Sequence, residues 1–241
     1  MQNSSDKVNT AITTPPKPKK GIKFWLKLVS KIILFAHIIF IFIIAFFSII
    51  YINFKPSYTV LMLYREGFQA SKPSFIELNK TTPTFQLDLL NLEDGKFREH
   101  YGIDLDAIKR AKEKNDKLGY KAYGGSTITQ QLARTLFLLP HKNYFRKYLE
   151  AITALELELF LGKDRILELY INYAELGKGI YGFNDAALHY YKKPFVKTTA
   201  DEKIRLLTIL ASPINYSPTT LYKNKALDAR YKFIYKYHHL H

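Results

Sequence analysis

Apolar side chains recur at helical spacing along most of this 241-residue chain. Ile128, Leu132 and Leu136 follow a Thr127-x-x-Gln130 pattern that is typical of a helix capping box, and Pro140 is expected to end that helix. Similar patterns predict helices in residues 104–114, 144–162, 163–177, 183–193, 199–212 and 226–238. Asp104 is the predicted N-cap of the first of these helices, and Gly162 is the predicted end of the second. Residues 56–92 are less regular, and their prolines predict turns and short pieces. The predicted fold is mostly α.

One stretch is apolar on every face: residues 32–52 read IILFAHIIFIFIIAFFSIIYI. A bilayer core about 30 Å thick needs about 20 such residues as a helix, and the apolar part of a signal peptide is shorter. We interpret the run as a retained single membrane span, since the scarcity of polar positions disfavours a buried core helix. Seven lysines precede it against only Asp6, which predicts that the N-terminus is cytoplasmic and that residues from 56 onward lie outside.

Composition divides the rest of the chain. Residues 1–31 form a basic tail, whose Pro- and Lys-rich first part cannot build a core, whereas residues 56–241 are long enough for one domain. The net charge of +15 suits anionic lipid head groups or diphosphates, and an exported domain disfavours nucleic acid as the partner. The absence of cysteine excludes disulfides and thiol chemistry, and the histidines lack the spacing of metal ligands.

The segment EDGKFREH at residues 93–100 combines two acids, a turn-forming glycine and an aromatic side chain. A carboxylate beside the Phe97 ring would be partly desolvated, and Glu93 could then act as a base near neutral pH. The alternative is structural: Glu93 and Asp94 would simply cap a helix N-terminus, an arrangement that the local pattern alone favours.

The segment GGSTITQQ at residues 124–131 combines a flexible turn with the start of a helix. Gly124 and Gly125 permit close approach of the backbone to a ligand, and the helix behind them presents free N–H groups. The neutral donors suited to sugar hydroxyls or phosphate oxygens are Ser126, Thr127, Thr129, Gln130 and Gln131. An ordinary glycine turn before a capped helix is the alternative, which the glutamine pair weakens, because one glutamine is expected to face inward.

The segment RKYLE at residues 146–150 places Arg146 and Glu150 on one helix face. As an exposed pair they would contribute only about 0.3–0.5 kcal/mol. Apolar side chains cover most of the surface of this helix. We therefore expect the helix to be largely buried and Glu150 to line a cavity. Glu156 and Glu158 are competing acids, but neither has a basic residue three or four positions earlier.

Four segments in series resemble the motifs of glycosyltransferase family 51: EDGKFREHYGID, GGSTITQQLARTLFL, RKYLE and KDRILELYINYAELGKGIYGFNDAALHYYKK. The resemblance covers roughly residues 85–218, and the GGSTITQQ run is highly specific. It implies a mostly α, lysozyme-like catalytic lobe with a small membrane-associated jaw at about residues 103–123. It also implies the polymerisation of lipid II, with inversion at the anomeric carbon and release of undecaprenyl diphosphate.

The resemblance further implies roles for individual residues. Glu93 matches the general base that deprotonates the acceptor hydroxyl, and Glu150 matches a second essential acid that positions the donor diphosphate or a divalent ion. The matching substrate contacts are Asp94, Phe97, His100, Gly125, Ser126, Thr127, Gln130, Gln131, Arg134, Lys142, Arg146, Lys147, Lys163, Tyr170 and Asn172.

Three positions depart from the family pattern. Arg134 stands where Lys is usual, Thr135 where Asn is usual, and Lys142 where Arg is common. The exchanged cations keep their charge, so neutralisation of a diphosphate is expected to survive, although Arg and Lys differ in geometry.

The resemblance implies no tightly bound cofactor, with Mg²⁺ or Mn²⁺ as a divalent cation that the reaction could use. The expected partners are lipid II, the nascent glycan strand, the membrane, and penicillin-binding transpeptidases and division proteins. The expected location is the plasma (inner) membrane, in a single pass. Two other functions stay open: a lysozyme-like lytic enzyme, which needs an acid for the leaving oxygen but no cation cluster, and a non-catalytic cell-wall scaffold.

Overall fold

The computed structural model describes residues 21–120, 123–141 and 143–238. The chain divides into two compact units, the first ending at Phe40 and the second beginning at Ile41. Helices dominate the described residues, which confirms the predicted mostly α fold. They are α1 (Ile22–Asn53), α2 (Val60–Glu66), α3 (Pro83–Glu93), α4 (Leu105–Leu118), α5 (Ile128–Phe137), α6 (Tyr144–Tyr173), α7 (Phe183–Tyr191), α8 (Ala200–Ile209) and α9 (Lys225–His238). The strands β1 (Glu175–Gly177) and β2 (Ile180–Tyr181) pair antiparallel.

The first helix contains the predicted membrane span. It begins at Ile22, earlier than the predicted span, and ends at Asn53. Among the residues that the structure describes, α1 is the one helix long and apolar enough to cross a membrane. Its last turns belong to the second unit, where the Tyr51 ring stacks on Phe137 with centroids 5.9 Å apart. Arg165 donates to the carbonyl oxygen of Tyr51 at 2.8 Å, so this end of α1 is attached to α6.

Side chains that accept hydrogen bonds from free N–H groups set the helix starts. Thr127 and Gln130 form the predicted capping box of α5, and Asp104 caps α4 as predicted, through Ala107 N at 2.8 Å. Pro83 occupies the first turn of α3, a position that needs no N–H donor. The prediction of turns and short pieces is therefore wrong for the end of the segment 56–92, which is helical from residue 83.

The long helix α6 is broken at Gly162, whose φ of 71° and ψ of 163° lie outside the helical region. Glycine adopts a positive φ without steric penalty, and the predicted stop is confirmed as a break within this element. The second half ends at Tyr173, so the prediction that it runs to Gly177 is wrong. The reason is that Ala174 leaves helical geometry and accepts a hydrogen bond from Gly182 N at 2.8 Å.

The core of the second unit packs α3 against α8 and α9. Phe85 on α3 packs edge to face on Phe183 and Phe195, with centroids 5.0 and 4.7 Å away. Leu89 and Leu132 are buried in the same core, and α5 packs along α6. The motifs at residues 93–100, 124–131 and 146–150 therefore converge on one region.

Helix α4 falls within residues 103–123, where the jaw is predicted. Leu105, Ile108 and Leu118 are exposed, and Ala111 is its buried residue. An exposed helix with apolar side chains is compatible with a membrane-associated segment. Residues 121 and 122 lie outside the described residues, and the jaw stays a prediction.

Candidate active site

Glu93 is the last residue of α3, and its carboxylate lies between α5 and α9. One oxygen accepts a hydrogen bond from Gln131 Nε2 at 3.0 Å, and the other forms an ion pair with the Arg230 guanidinium. The Glu93 side chain is 12% exposed. It lines a small cavity of about 140 Å³, here named the Glu93 cavity, together with Gly124 and Ser126. The carboxylate is therefore fixed in position but still reachable.

Gln131 connects Glu93 to the buried Tyr170. The Tyr170 hydroxyl donates to Gln131 Oε1 at 2.9 Å, which orients the amide so that its NH₂ group faces Glu93. Burial raises the pKa of the Tyr170 phenol, and the negative charge of Glu93 raises it further. The phenol consequently stays protonated near neutral pH and fixes the orientation of Gln131.

Asp94 has different contacts from its neighbour. Its carboxylate accepts a hydrogen bond from Ile128 N at 2.9 Å, at the start of α5, and bonds to His100 Nε2 at 2.9 Å. Burial raises the pKa of Asp94, whereas the hydrogen bonds from His100 and Ile128 lower it. The prediction that this acidic pair caps a helix start from its local pattern is therefore wrong for Asp94, which is the C-cap of α3 and accepts from the first N–H group of a distant helix. It is also wrong for Glu93, which ends a helix rather than starting one.

Gly125 lies against the first turn of α4. A Cβ added there would be 2.7 Å from Ile108 Cα and 3.0 Å from Ile108 N. At Gly124, no atom of the described residues would lie within 4 Å of such a Cβ. Close packing against α4 therefore accounts for glycine at position 125, whereas position 124 is open.

We expect Gly125→Ala to destabilise the chain by about 1–3 kcal/mol, as overpacking usually does. The added methyl group would push α4 away from the Gly125 backbone. The midpoint of thermal unfolding of the detergent-solubilised chain measures the effect. Gly124→Ala is the matched control, with a midpoint close to that of the wild type; equal losses in both variants would contradict this explanation.

The Glu150 side chain is 0% exposed, in agreement with the predicted burial. It has two cationic partners. Arg146 and Lys147, one turn earlier on α6, form ion pairs with its two carboxylate oxygens. Lys147 Nζ also donates to Ser126 Oγ at 2.8 Å, and Ser126 lines the Glu93 cavity. Ser126 and Lys147 therefore connect Glu150 to the cavity that Glu93 lines.

Arg134 and Arg146 line a second cavity of about 320 Å³, here named the arginine cavity. Its charged and hydrogen-bonding lining includes Arg65, Gln131, Arg134, Arg146, Tyr170 and Glu175. Among the described residues Arg134 forms no ion pair, whereas Arg146 is paired with Glu150. A cavity with three guanidinium groups attracts an anionic ligand. Gln131 lines this cavity and also bonds to Glu93.

Phe97, His100 and Lys163 form a separate cluster. Phe97 is buried, and Lys163 Nζ lies 4.5 Å from the centroid of its ring. The same ammonium group donates to the His100 carbonyl oxygen at 2.5 Å. These contacts attach the end of the EDGKFREH segment to α6, and the three residues stay predicted substrate contacts.

Other predicted contacts are engaged in structural hydrogen bonds. The buried Asn172 side chain accepts from Ile76 N at 2.6 Å and donates to Ile76 O at 2.8 Å. Thr127 and Gln130 are buried and committed to the capping box, so Gln130 is the glutamine that faces inward. Lys142 lies outside the described residues. Substrate contact by these four residues stays a prediction.

Three charged residues at the site were missed by sequence reasoning. Arg230 pairs with Glu93 from α9, while Arg65 and Glu175 line the arginine cavity. Arg230 lies in a helical segment with several other basic residues, and Arg65 lies before the first motif segment. Glu175 lies within the fourth motif segment, residues 163–193, but no role was predicted for it. For Arg65 and Arg230, the available signal is the residue type, because arginine is the preferred cation in desolvated ion pairs.

The competing acids on α6 lie outside this network. Glu158 is paired with Lys163 at 2.7 Å and accepts from the Thr129 hydroxyl at 2.6 Å. Among the described residues, the Glu156 carboxylate has no hydrogen-bond partner, and burial raises its pKa to about 7. Among the hydrogen bonds and ion pairs of the described residues, neither acid contacts Glu93, Arg146 or Lys147.

A resident metal site is not formed by the described side chains. Within the described ranges, no group of three or more His, Cys, Asp or Glu residues is placed to hold a metal ion. Glu150, the acid predicted to position a divalent ion, has its oxygens bound by Arg146 and Lys147. The use of Mg²⁺ or Mn²⁺ stays a prediction.

Comparisons with known proteins point to one family. A family model described as Transglycosylase matches residues 61–238. A biosynthetic peptidoglycan transglycosylase of Marinomonas sp. (strain MWYL1) is 35% identical over 216 residues, covering 88% of this chain and 91% of that protein. The protein of the same name from Haemophilus influenzae (strain PittEE) is 33% identical over 223 residues, covering 91% and 92%. The one from Caulobacter vibrioides is 41% identical over 170 residues, covering 70% and 73%.

Proposed function

This chain belongs to the transglycosylase family and is a peptidoglycan glycosyltransferase, and we propose that it polymerises lipid II into glycan strands at the site around Glu93. Its mostly α fold is the lysozyme-like fold of that family. In the proposed reaction, the 4-hydroxyl of an incoming lipid II attacks the anomeric carbon at the reducing end of the growing strand. The configuration at that carbon inverts, and undecaprenyl diphosphate leaves.

We assign the general base to Glu93, which would take the proton of the attacking hydroxyl. A base has to be fixed in position and reachable by its substrate. The support for this role is the hydrogen bond from Gln131, the ion pair with Arg230 and the position of Glu93 in the wall of a cavity.

We assign the binding of the diphosphate to the arginine cavity. Departure of a diphosphate builds up negative charge, and fixed cations that face this charge lower the barrier. Arg134 and Arg146 line the cavity. The observation that carries the proposal is the position of Gln131, which bonds to Glu93 and lines the same cavity. A single side chain therefore separates the proposed base from the proposed cation cluster.

Glu150 would hold the cations in place. Its two ion pairs fix Arg146 and Lys147, and Lys147 in turn reaches Ser126. Preorganised charges stabilise a transition state without needing to reorganise during the reaction. The proposed role of Glu150 is thus to orient Arg146 toward the diphosphate and Lys147 toward Ser126 at the Glu93 cavity.

We also propose a membrane arrangement and partners. Residues 1–31 would be cytoplasmic, residues 32–52 would cross the membrane, and residues 56–241 would form the outer glycosyltransferase domain with the jaw at about 103–123. The lysine-rich tail and helix α1 support this arrangement. Penicillin-binding transpeptidases and division proteins are proposed partners, because new glycan strands need to be cross-linked.

Incubation of the purified full chain with lipid II in detergent, followed by gel separation of the products, tests the proposed function. We expect glycan polymer to accumulate. Cleavage of finished glycan without polymer growth would favour a lytic enzyme, and the absence of both reactions would favour a scaffold. An added chelator tests the divalent cation: loss of activity that Mg²⁺ restores supports it, and unchanged activity contradicts it.

A further inference from the structure

Arg65 and Glu175 lie in the wall of the arginine cavity, although neither is among the predicted substrate contacts. Arg65 is near the end of α2, and Glu175 begins β1. Both line the same cavity as Arg134 and Arg146. The cavity therefore has a third guanidinium group and one carboxylate in addition to the predicted cations.

The ion pair leaves part of the Arg65 guanidinium available. Arg65 Nε lies 3.2 Å from Glu175 Oε1, and its Nη2 donates to Glu175 Oε2 at 3.3 Å. A guanidinium has five N–H donors in a planar fork, and one of them, on Nη2, is hydrogen-bonded to Glu175. The side chain of Arg65 is 37% exposed, whereas that of Glu175 is 13% exposed. The remaining donors can bind an anion while Glu175 stays bound.

Arg65 pairs with Glu175, and Arg134 lines the same cavity as this carboxylate. Burial raises the pKa of Glu175, while Arg65 and Arg134 lower it and Glu66 raises it. Arg65 and Arg134 therefore act on the same group, as two cations near one anion would. Glu175 offsets the charge of Arg65, and Glu150 offsets that of Arg146. Among the described residues Arg134 forms no ion pair, so its charge favours a further anion in this cavity.

Helix α2 is attached to the β-hairpin next to Arg65. The Tyr181 hydroxyl donates to Glu66 Oε1 at 3.1 Å, one residue after Arg65. Thr59 caps the start of the same helix through Met62 N at 3.2 Å, and Met62 is buried. Arg65 thus extends from a fixed helix, which reduces the entropy that it loses on binding a ligand.

We propose that Arg65 binds the diphosphate of the lipid-linked donor together with Arg134 and Arg146, and that Glu175 is a positioning residue that orients Arg65. This inference rests on the proposed function and adds a substrate-binding residue to it. A diphosphate has several anionic oxygens, and planar bidentate recognition of such oxygens is the particular property of arginine.

Binding of undecaprenyl diphosphate in detergent micelles to the purified full chain tests the proposal without turnover. We expect Arg65→Met to raise the dissociation constant by about 10- to 100-fold, the effect of losing charge-assisted hydrogen bonds. Arg65→Lys should give a smaller loss, because charge remains but the fork is absent. Arg98→Met is the matched control, because Arg98 pairs with Asp164 at 2.6 Å and lines a different cavity. The Arg98→Met variant should bind undecaprenyl diphosphate as tightly as the wild type.

Glu175→Gln separates positioning from folding. Gln keeps the size of the side chain, and the partly exposed Arg65 can be solvated without its partner, so we expect a nearly unchanged midpoint of thermal unfolding. We expect an affinity about 3- to 10-fold weaker, as for a lost charged hydrogen bond. In lipid II polymerisation, Arg65→Met should raise KM more than it lowers kcat. Should Arg65→Met not fold, Arg65→Lys and Glu175→Gln provide the same comparison.

Wild-type affinity in Arg65→Met with an unchanged unfolding midpoint would overturn this inference and leave the proposed function intact. Equal weakening in Arg65→Met and Arg98→Met would also overturn it, because the effect would then be one of net charge. If the wild-type chain neither binds undecaprenyl diphosphate nor polymerises lipid II, the proposed function fails and this inference fails with it.

Discussion

Glu93→Gln is expected to lower the rate of lipid II polymerisation by about 10²- to 10⁴-fold, the usual contribution of a general base. The amide cannot take up the proton of the attacking hydroxyl, but it keeps the size of the side chain and an oxygen that can accept from Gln131. The substitution therefore removes the proposed chemistry and leaves the position of the group. The initial rate of polymer formation with lipid II in detergent measures the effect.

Glu99→Gln is the control for Glu93→Gln. Glu99 is an exposed acid in the same segment, so its substitution makes the same change of charge away from the cavity and should leave the rate close to that of the wild type. Because Glu93→Gln leaves Arg230 without its counter-charge, the thermal unfolding midpoint has to be measured as well. A folded Glu93→Gln chain with the wild-type rate would remove Glu93 from the mechanism.

Local features of this fold were predictable because neighbouring residues determine them. The capping box of Thr127 and Gln130 needs only the spacing of two side chains, and the break at Gly162 needs only a residue that tolerates positive φ. The long apolar helix α1 follows from the length of its apolar run. The start of α3 was missed because Pro83 was interpreted as a breaker, although proline is also favourable in the first turn of a helix.

Contacts between distant residues could not be obtained in this way. Arg230 lies 137 residues after Glu93, and Glu175 lies 110 residues after Arg65. A helical pattern indicates that such a residue is on a helix, but it does not indicate which other helix will face it. The sequence could therefore nominate Glu93 through a family resemblance and could not nominate the arginine that holds it.

Gly125 illustrates a different limit. A glycine pair before a helix is compatible both with close approach to a ligand and with close approach to another part of the chain. The backbone of Ile108, 2.7 Å from an added Cβ, supports the second explanation, and substrate contact by Gly125 stays a prediction. Only the position of α4, which long-range packing determines, distinguishes the two.

Glu150→Gln is expected to reduce both stability and polymerisation. Removing one partner of a buried ion pair typically destabilises a protein by about 3–5 kcal/mol, and the lower end applies here because Lys147 is partly exposed. Arg146 and Lys147 would repel each other, and Arg146 would lose its orientation toward the diphosphate, so we expect the polymerisation rate to fall by about 10²-fold. Thermal unfolding and the lipid II assay measure the two effects.

Glu168→Gln provides the comparison that separates the two effects. Glu168 pairs with Arg165 on the same helix and accepts from Leu78 N at 2.8 Å, so its substitution should lower the unfolding midpoint without a comparable loss of rate. Undecaprenyl diphosphate supplies negative charge, and we expect it to raise the midpoint of Glu150→Gln more than that of Glu168→Gln. An equal increase in both variants would mean that the cations around Glu150 do not face the diphosphate, and Glu150 would then have a structural role alone.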